Sequence, residues 1–300
     1  MITIAPATLV PLNVLVNEHR MYLPLVGAAV LVARIWPSLR RGYLMGAAVL
    51  LAALTALTVE RNRAWHDELS LWRDSAEKSP YMSRSHVHFG NALRDRGRSE
   101  EAEMSYERAL QLEPAHRSAQ VNVANLYYER GWRAAADSSL ARRFFLTAAA
   151  AFERAITAHP LFGEAYYNLG HLHVGQENPT AAVAPLERAL TLHIDSQSSW
   201  SRGDALWDLG NAYAGSNRLP EAVHAYRRAR ALNGGGSPRY VRNLGEVLFA
   251  MGERALAVGD SSAARRHWEE AEICYRELIA LGSDEQRAVY RLGQMEKRLQ

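Results

Sequence analysis

The spacing of small, aromatic and apolar residues repeats along residues 83–251 at intervals near 34 positions. Numbered from Ser83, the first unit has small residues at positions 8, 20 and 27, an aromatic residue at position 24 and a proline at position 32. These residues are Gly90, Ala102, Ala109, Tyr106 and Pro114. Apolar residues recur every three or four positions within the unit, which is the helical period. Each unit therefore predicts two helices joined by a turn.

Four later units repeat this pattern. Their residues at positions 8 and 24 are Ala124 and Phe152, Gly170 and Leu186, Gly210 and Tyr226, and Gly245 and Tyr275. Small residues at positions 8 and 20 let two antiparallel helices approach, and we expect the aromatic residue at position 24 to fill the gap to the next unit. A helix–turn–helix unit of this length resembles the tetratricopeptide repeat (TPR). An irregular α-bundle would show the helical period but no reason to restart with every unit.

The predicted fold is all-α: a TPR superhelix (α-solenoid) preceded by two or three transmembrane helices. Residues 1–60 form the membrane region, and residues 61–82 form a linker and half-repeat. Five TPR units occupy residues 83–283, with insertions near 132–143 and 253–268. A capping helix follows at residues 284–300.

The membrane prediction rests on the uncharged segment Gly42–Val59, whose 18 residues suffice to cross a bilayer as a helix. A second span, near residues 21–39, requires Arg34 to extend its guanidinium to the interface. Residues 1–16 are expected to be the end of a span whose start is missing. The alternative for Gly42–Val59 is a helix buried in a soluble domain. The small residues on every side of the segment favour helix packing in lipid.

Composition excludes several classes of function. The net charge is only +3, and acidic and basic residues alternate along the helices, so no basic stripe for nucleic acid is present. The single cysteine, Cys274, permits no internal disulfide and is predicted to lie in the core. The pairs His86/His88 and His171/His173 are two residues apart and lack acidic or cysteine partners at ligand spacing, so no metal is expected. No cofactor motif is present.

Arginine counts predict the orientation. The connection between the two predicted spans holds Arg34, Arg40 and Arg41, whereas the segment after the second holds Arg61 and Arg63 among acidic residues. Because cytoplasmic loops carry the excess of positive charge, this connection is predicted to lie inside. The chain is thus expected to be a multi-pass cell-membrane protein with its TPR array on the periplasmic or extracytoplasmic side.

Two charged strings that flank the apolar segments carry a resemblance. They are Asn17-Glu18-His19-Arg20-Met21-Tyr22-Leu23-Pro24-Leu25 and Glu60-Arg61-Asn62-Arg63-Ala64-Trp65-His66-Asp67-Glu68-Leu69-Ser70-Leu71-Trp72, the latter followed by Lys78-Ser79-Pro80. Their order resembles the carboxy-terminal half of the transmembrane and TPR-containing protein O-mannosyltransferases and their bacterial relatives. The resemblance implies a GT-C-type membrane glycosyltransferase that uses a polyprenyl-phosphate sugar and carries a TPR tail on the outer or luminal face. That family's catalytic acids lie in a first outer loop that is absent here, so we expect no sugar transfer by this chain alone.

By this resemblance, Arg20 would hold the phosphate of a lipid-linked sugar and Glu18 would orient it. An arginine binds phosphate through two parallel N–H donors, which suits this role. The alternative is that these charges mark where a helix enters the lipid interface.

The second candidate site is a row of side chains on the first helix of each unit, which lines the concave face of a TPR array. The predicted groove residues are Asn91, Asn122, Asn125, Tyr167, Asn168, His171, Trp207, Asn211 and Asn243. An asparagine side chain offers both a donor and an acceptor, so such a row can bind an extended polypeptide without reading its sequence. The alternative is that these asparagines hydrogen-bond neighbouring helices. A carboxylate clamp is disfavoured because the groove arginines Arg84, Arg239 and Arg242 lie at opposite ends.

The predicted function is a non-catalytic, membrane-anchored TPR scaffold that binds polypeptide, as the acceptor-binding tail of a glycosyltransferase-like membrane protein. Its expected partners are a polypeptide in the groove and membrane lipid, including a polyprenyl-phosphate sugar. The alternative is a stand-alone TPR adaptor for assembly of an envelope complex. An in-frame multi-span region encoded upstream of Met1 would favour the first reading.

Overall fold

The structure, a computed structural model, describes residues 67–192, 200–232, 237–283 and 285–299, together with five positions between residues 46 and 56. Within the four continuous ranges, all regular secondary structure is α-helical. The helices are α1 Glu68–Lys78, α2 Ser83–Asp95, α3 Ser99–Leu112, α4 Arg117–Arg133, α5 Ser138–Ala158, α6 Gly163–Gly175, α7 Pro179–Thr191, α8 Arg202–Gly215, α9 Leu219–Leu232, α10 Pro238–Ala257, α11 Ser261–Ala280 and α12 Glu285–Leu299. They fall into two compact units, Met1–Leu112 and Glu113–Gln300.

The first unit contains helices α1 to α3, which pack in sequence order. The side chain of Asp67 caps α1 by accepting a hydrogen bond from the backbone N–H of Ser70 at 3.0 Å. Between α2 and α3, a Cβ atom on Gly90 would lie 2.5 Å from the ring of Tyr106. Only glycine permits this approach, which is why position 8 of the repeat is small.

The second unit consists of four helical hairpins followed by α12. The first helices of the hairpins, α4, α6, α8 and α10, are termed the A helices, and α5, α7, α9 and α11 are termed the B helices. Each A helix packs against its own B helix, each B helix packs against the next A helix, and successive A helices also contact one another. This stacking is that of an α-solenoid, so the predicted TPR architecture is confirmed for the described residues.

The residue at position 24 packs differently from the expectation. The rings of Tyr106 and Tyr226 lie against the position-8 glycine of their own unit, Gly90 and Gly210 respectively. Leu186 lies in the same way in the third TPR repeat, where a Cβ atom on Gly170 would lie 2.5 Å from the leucine Cγ. These side chains therefore join the two helices of one hairpin as well as filling the stack.

The two predicted insertions lengthen hairpins. The helices α4 and α5 have 17 and 21 residues and α10 and α11 have 20 each, whereas α6 to α9 have 13 or 14. The added turns create a second close approach between the paired helices. A Cβ atom on Gly131 would lie 2.6 Å from the ring of Phe145, and a Cβ atom on Gly252 would lie even closer to the indole of Trp268.

The last described helix, α12, packs on α11 through the buried side chains of Ala288 and Met295. Arg291 joins it to α10 by donating from Nη2 to Glu246 at 2.8 Å. Gly293 occupies the place in α12 that Gly245 occupies in α10, but a Cβ atom there would meet no atom within 4 Å. The helix therefore resembles an A helix without a B helix against it.

No helix in the described ranges has the length and apolar character needed to cross a membrane. The predicted spans near residues 21–39 and 42–59 and the partial span at 1–16 lie outside those ranges, apart from the five isolated positions. These spans are not confirmed.

Candidate functional site

Side chains on consecutive A helices of the second unit, and on α12 after the last of them, form a ladder of contacts. At each step, the residue at position 9 of one TPR repeat contacts the residue at position 6 of the following repeat. The three contacts are His171 Nδ1 with Asp208 Oδ2 at 2.8 Å, Asn243 Nδ2 donating to Asn211 Oδ1 at 2.7 Å, and Arg291 Nη2 donating to Glu246 Oε2 at 2.8 Å. We call these contacts the side-chain ladder. They fix the register between successive A helices.

The ladder is open at the step between α4 and α6. The equivalent residues there are Asn125 and Asn168, which are both half-buried. The Nδ2 group of Asn168 is buried and has no hydrogen-bond partner within the described residues. Because a buried donor without an acceptor costs free energy, an acceptor added at this step would recover part of that cost.

Some of the predicted groove asparagines are already engaged inside the protein. The Oδ1 atom of Asn211 accepts hydrogen bonds from the Tyr226 hydroxyl and from Asn243, both at 2.7 Å, which uses both of its lone pairs. In the first unit, Asn91 accepts from the hydroxyl of Tyr106 at 2.8 Å. For Asn91, Asn211 and Asn243, the geometry is thus that of the alternative interpretation, in which asparagines bond to neighbouring helices.

Beside the open step lies a row of aromatic side chains. The ring centroids are separated by 6.2 Å from Trp132 to Tyr128, 5.8 Å from Tyr128 to His171, 5.8 Å from His171 to Tyr167 and 4.6 Å from Tyr167 to Trp200. We call these five residues the aromatic row. Tyr167 is half-buried, whereas Trp132 is 49% exposed. The row gives α4 and α6 a rigid apolar surface with an exposed end.

Asp208, which contacts His171 of this row, is only 1% exposed. Its Oδ2 atom contacts His171, and its Oδ1 atom has no hydrogen-bond partner within the described residues. The hydrogen bond to Asp208 raises the pKa of His171, and the negative charges of Asp208 and Asp204 add to this effect. Burial, reinforced by the same two charges, raises the pKa of the Tyr167 hydroxyl. The site thus holds a buried negative charge.

Trp207, a predicted groove residue, lies under a guanidinium group. The Arg239 group is 5.0 Å from the Trp207 ring centroid and 4.8 Å from that of Tyr240. The same arginine forms an ion pair with Asp204. Its charge is therefore matched by Asp204, and one face of the Trp207 indole is covered.

Sequence reasoning missed three members of this site. Trp132 belongs to a predicted insertion, and Trp200 lies just before α8, outside the repeat pattern. Asp208 occupies position 6, where the second, third and fifth TPR repeats have asparagine. This replacement was the one feature of the sequence that could have indicated the site. The predicted lipid-phosphate residues Glu18 and Arg20 lie outside the described residues, so their role stays a prediction.

The described part of the chain offers little support for metal binding or for catalysis by a cysteine nucleophile. No group of histidine, cysteine and acidic side chains there could hold a metal ion. Cys274 is buried on α11, and burial raises the pKa of its thiol to about 11. The thiol is therefore protonated at neutral pH and is a poor nucleophile.

Comparisons with known proteins agree with this architecture. Family models of the tetratricopeptide repeat match residues 83–116 and, in overlapping segments, residues 133–199, 170–237 and 207–261. The chain is therefore a member of the tetratricopeptide-repeat superfamily.

Among characterised proteins, the chain is similar to protein O-mannosyl-transferases. It is 34% identical to Protein O-mannosyl-transferase TMTC1 of Mus musculus over 119 residues, which cover 37% of this chain and 13% of that protein. It is 26% identical to Protein O-mannosyl-transferase Tmtc3 of Drosophila melanogaster over 254 residues, which cover 82% of this chain and 23% of that protein. The TPR region is thus distantly homologous to these enzymes, but the match spans less than a quarter of their length.

A solved structure shows the same fold. The chain superposes on YrrB, described as a TPR protein with an unusual peptide-binding site, with a TM-score of 0.52 and 20% sequence identity. The superposition covers 73% of this chain and 96% of YrrB. At this identity, the likeness establishes the fold alone.

Proposed function

We propose that the chain is a non-catalytic protein-binding module whose A helices in the second unit hold an extended polypeptide. The observation that carries the proposal is a pair of unsatisfied polar atoms beside the aromatic row, the Nδ2 group of Asn168 and the Oδ1 atom of Asp208. They lie on consecutive A helices, α6 and α8. An unsatisfied donor and an unsatisfied acceptor are the groups that a peptide backbone can complete.

The energetics favour such a ligand. Leaving a buried polar group without a partner costs about 1–3 kcal/mol, so a carbonyl placed at Asn168 recovers part of that cost. The exposed indole of Trp132 offers apolar contact at the end of the row. Aromatic side chains are enriched at binding interfaces because they bury large areas with little loss of conformational freedom. The peptide-binding site named for YrrB is consistent with this use of the fold.

We further propose that this module is the acceptor-binding tail of a glycosyltransferase-like membrane protein. Its distant homology to protein O-mannosyl-transferases supports this role over that of a stand-alone envelope adaptor. In this proposal, the uncharged segment Gly42–Val59 anchors the chain and Arg20 contacts a lipid phosphate. The segment should then keep the full chain in the membrane fraction during a carbonate wash, whereas a chain that begins at Arg61 should be released. Release of the full chain would refute the anchor.

Polypeptide binding is tested by photocrosslinking. A photoreactive residue in place of Trp132 lies at the exposed end of the aromatic row, and the same residue in place of Val258, which is 82% exposed at the α10–α11 turn, is the matched control. We expect polypeptide to be captured from position 132 and not from position 258.

The combined replacement of Asn122, Asn125 and Asn168 by alanine should reduce this capture. Each lost hydrogen bond is worth about 0.5–1.5 kcal/mol, so three should weaken binding by roughly tenfold to a thousandfold. Helix content measured by circular dichroism controls for unfolding. Capture that persists undiminished in the triple variant would refute the proposed asparagine contacts.

A further inference from the structure

Among the described residues, the ion-pair partner of the buried Asp208 carboxylate is a histidine rather than a lysine or an arginine. Its neighbour Asp204 is paired with Arg239, so those two charges offset each other. Within the described residues, the ion-pair contact of Asp208 is with His171, whose imidazole carries a charge only when protonated, and the carboxylate also acts on the nearby hydroxyl of Tyr167. A buried charge is costly unless it is paired and hydrogen-bonded, and here one carboxylate oxygen remains without a donor. A cation would supply the missing donor and offset the charge.

The surroundings of Asp208 suit an ammonium or guanidinium group. Cations bind favourably over the ring faces of tyrosine and tryptophan, and they form their strongest hydrogen bonds with carboxylates. Tyr128 and Tyr167 both flank His171, the side chain that Asp208 contacts. The protein already uses this combination nearby, because Arg239 lies over Trp207 and Tyr240 and pairs with Asp204.

We propose that Asp208 and the aromatic row bind a lysine or arginine side chain of the polypeptide held on the A helices. The inference rests on the proposed function and adds a side-chain preference to it. Because the side chain of His171 is 43% exposed and that of Asp208 only 2%, the cation reaches the carboxylate by moving the imidazole aside. The ligand and the protonated imidazole therefore compete for one carboxylate.

The groups that surround His171 determine how its pKa responds to a competing cation. Tyr128 faces it from α4, Tyr167 from its own helix, and Asp204 and Asp208 from α8. Arg239 on α10, which acts on Tyr167, is held by Asp204. Binding of a cationic side chain should therefore lower the pKa of His171, and binding should strengthen as pH rises through that pKa.

The experiment compares capped peptides of glycine, alanine and serine that differ at one central residue: lysine, arginine, norleucine or glutamate. Binding to the full chain in detergent is measured by fluorescence anisotropy. We expect the lysine and arginine peptides to bind about tenfold more tightly than the norleucine peptide, the size of one charged hydrogen bond. The glutamate peptide should bind most weakly.

The variant Asp208→Asn keeps the shape of the side chain and an acceptor for His171 but removes the charge. In this variant the lysine and norleucine peptides should bind equally. The matched control is Glu187→Gln, which removes a carboxylate on the B helix α7 that accepts a hydrogen bond from Tyr213, and the preference for lysine should persist there. Equal binding of all four peptides to the unaltered protein would overturn the cation site while leaving polypeptide binding intact. Binding of none would overturn both.

A second measurement does not depend on whether the variant folds. The pKa of His171 in the unaltered protein is followed by NMR titration with and without the lysine peptide. A lower pKa in the complex is the expected result. A pKa unchanged by saturating lysine peptide would overturn the competition for Asp208.

Discussion

Two neighbouring steps of the side-chain ladder use the same positions of the repeat for different ends. Between α8 and α10, Asn211 and Asn243 bond to each other and Asn211 also accepts from Tyr226, so its acceptor oxygen is satisfied within the protein. Between α6 and α8, His171 contacts Asp208, and one oxygen of the buried carboxylate is left without a donor. The first step is neutral and closed, whereas the second is charged and incomplete.

This contrast locates the binding site more sharply than the row of asparagines does. Where the amides at positions 6 and 9 hydrogen-bond to each other, they hold successive A helices together. The same positions can bind a ligand where the packing leaves polar atoms without hydrogen-bond partners, as at Asn168 and Asp208. The aromatic row extends from Trp132 on α4 to Trp200 just before α8, so apolar contacts lie beside both of these polar atoms.

The largest effect should come from breaking the packing beneath the incomplete step. In Gly170→Leu the new side chain would collide with Leu186, because even a Cβ atom would lie 2.5 Å from its Cγ. Overpacking costs about 1–3 kcal/mol and sometimes more, and a collision this close to the backbone belongs at the upper end. Ala182→Phe, on the facing helix, should act in the same way. Thermal unfolding measures both, and an unchanged melting curve would contradict the helix contact.

An intermediate effect on stability should distinguish the closed step between α8 and α10 from the open step between α4 and α6. Asn211→Ala removes the acceptor of two hydrogen bonds and should lower the free energy of unfolding by about 1–3 kcal/mol. Asn168→Ala removes a side chain whose Nδ2 group has no partner, so its cost should be within about 0.5 kcal/mol. Denaturant titrations of both variants check this difference. Equal losses of stability would show that Asn168 is held as firmly as Asn211.

The smallest effect should appear in the pH dependence, because only the charged step titrates near neutrality. The pKa of His171 is raised above its usual value of about 6.5, so its stabilising contribution is complete below that pH and is lost as pH rises through the raised pKa. Asp208→Asn should return the pKa of His171 towards its usual value and flatten this part of the stability profile. NMR titration of the imidazole and unfolding curves at several pH values measure both. A raised pKa that survives the replacement would assign its cause to another group.

Much of the fold could be predicted because its cause is local in sequence. Glycine at positions such as 90, 170 and 210 has a bulky partner 16 residues later in each unit, and both belong to one hairpin. The site was only partly predictable. The spacing indicated that Tyr167, Asn168 and His171 share a helix face, but whether two amides bond to each other or remain available depends on the register between helices.

The amino-acid sequence by itself determined the helical repeat, its length and the places where it is interrupted, because a small residue and its bulky partner recur within each hairpin. The tertiary structure alone decided which polar groups are left over. His171 and Asp208 are 37 residues apart, and Asn211 and Asn243 are 32 apart. Their meeting depends on how A helices stack, and that stacking satisfies one step of the ladder while leaving a buried carboxylate oxygen at the next.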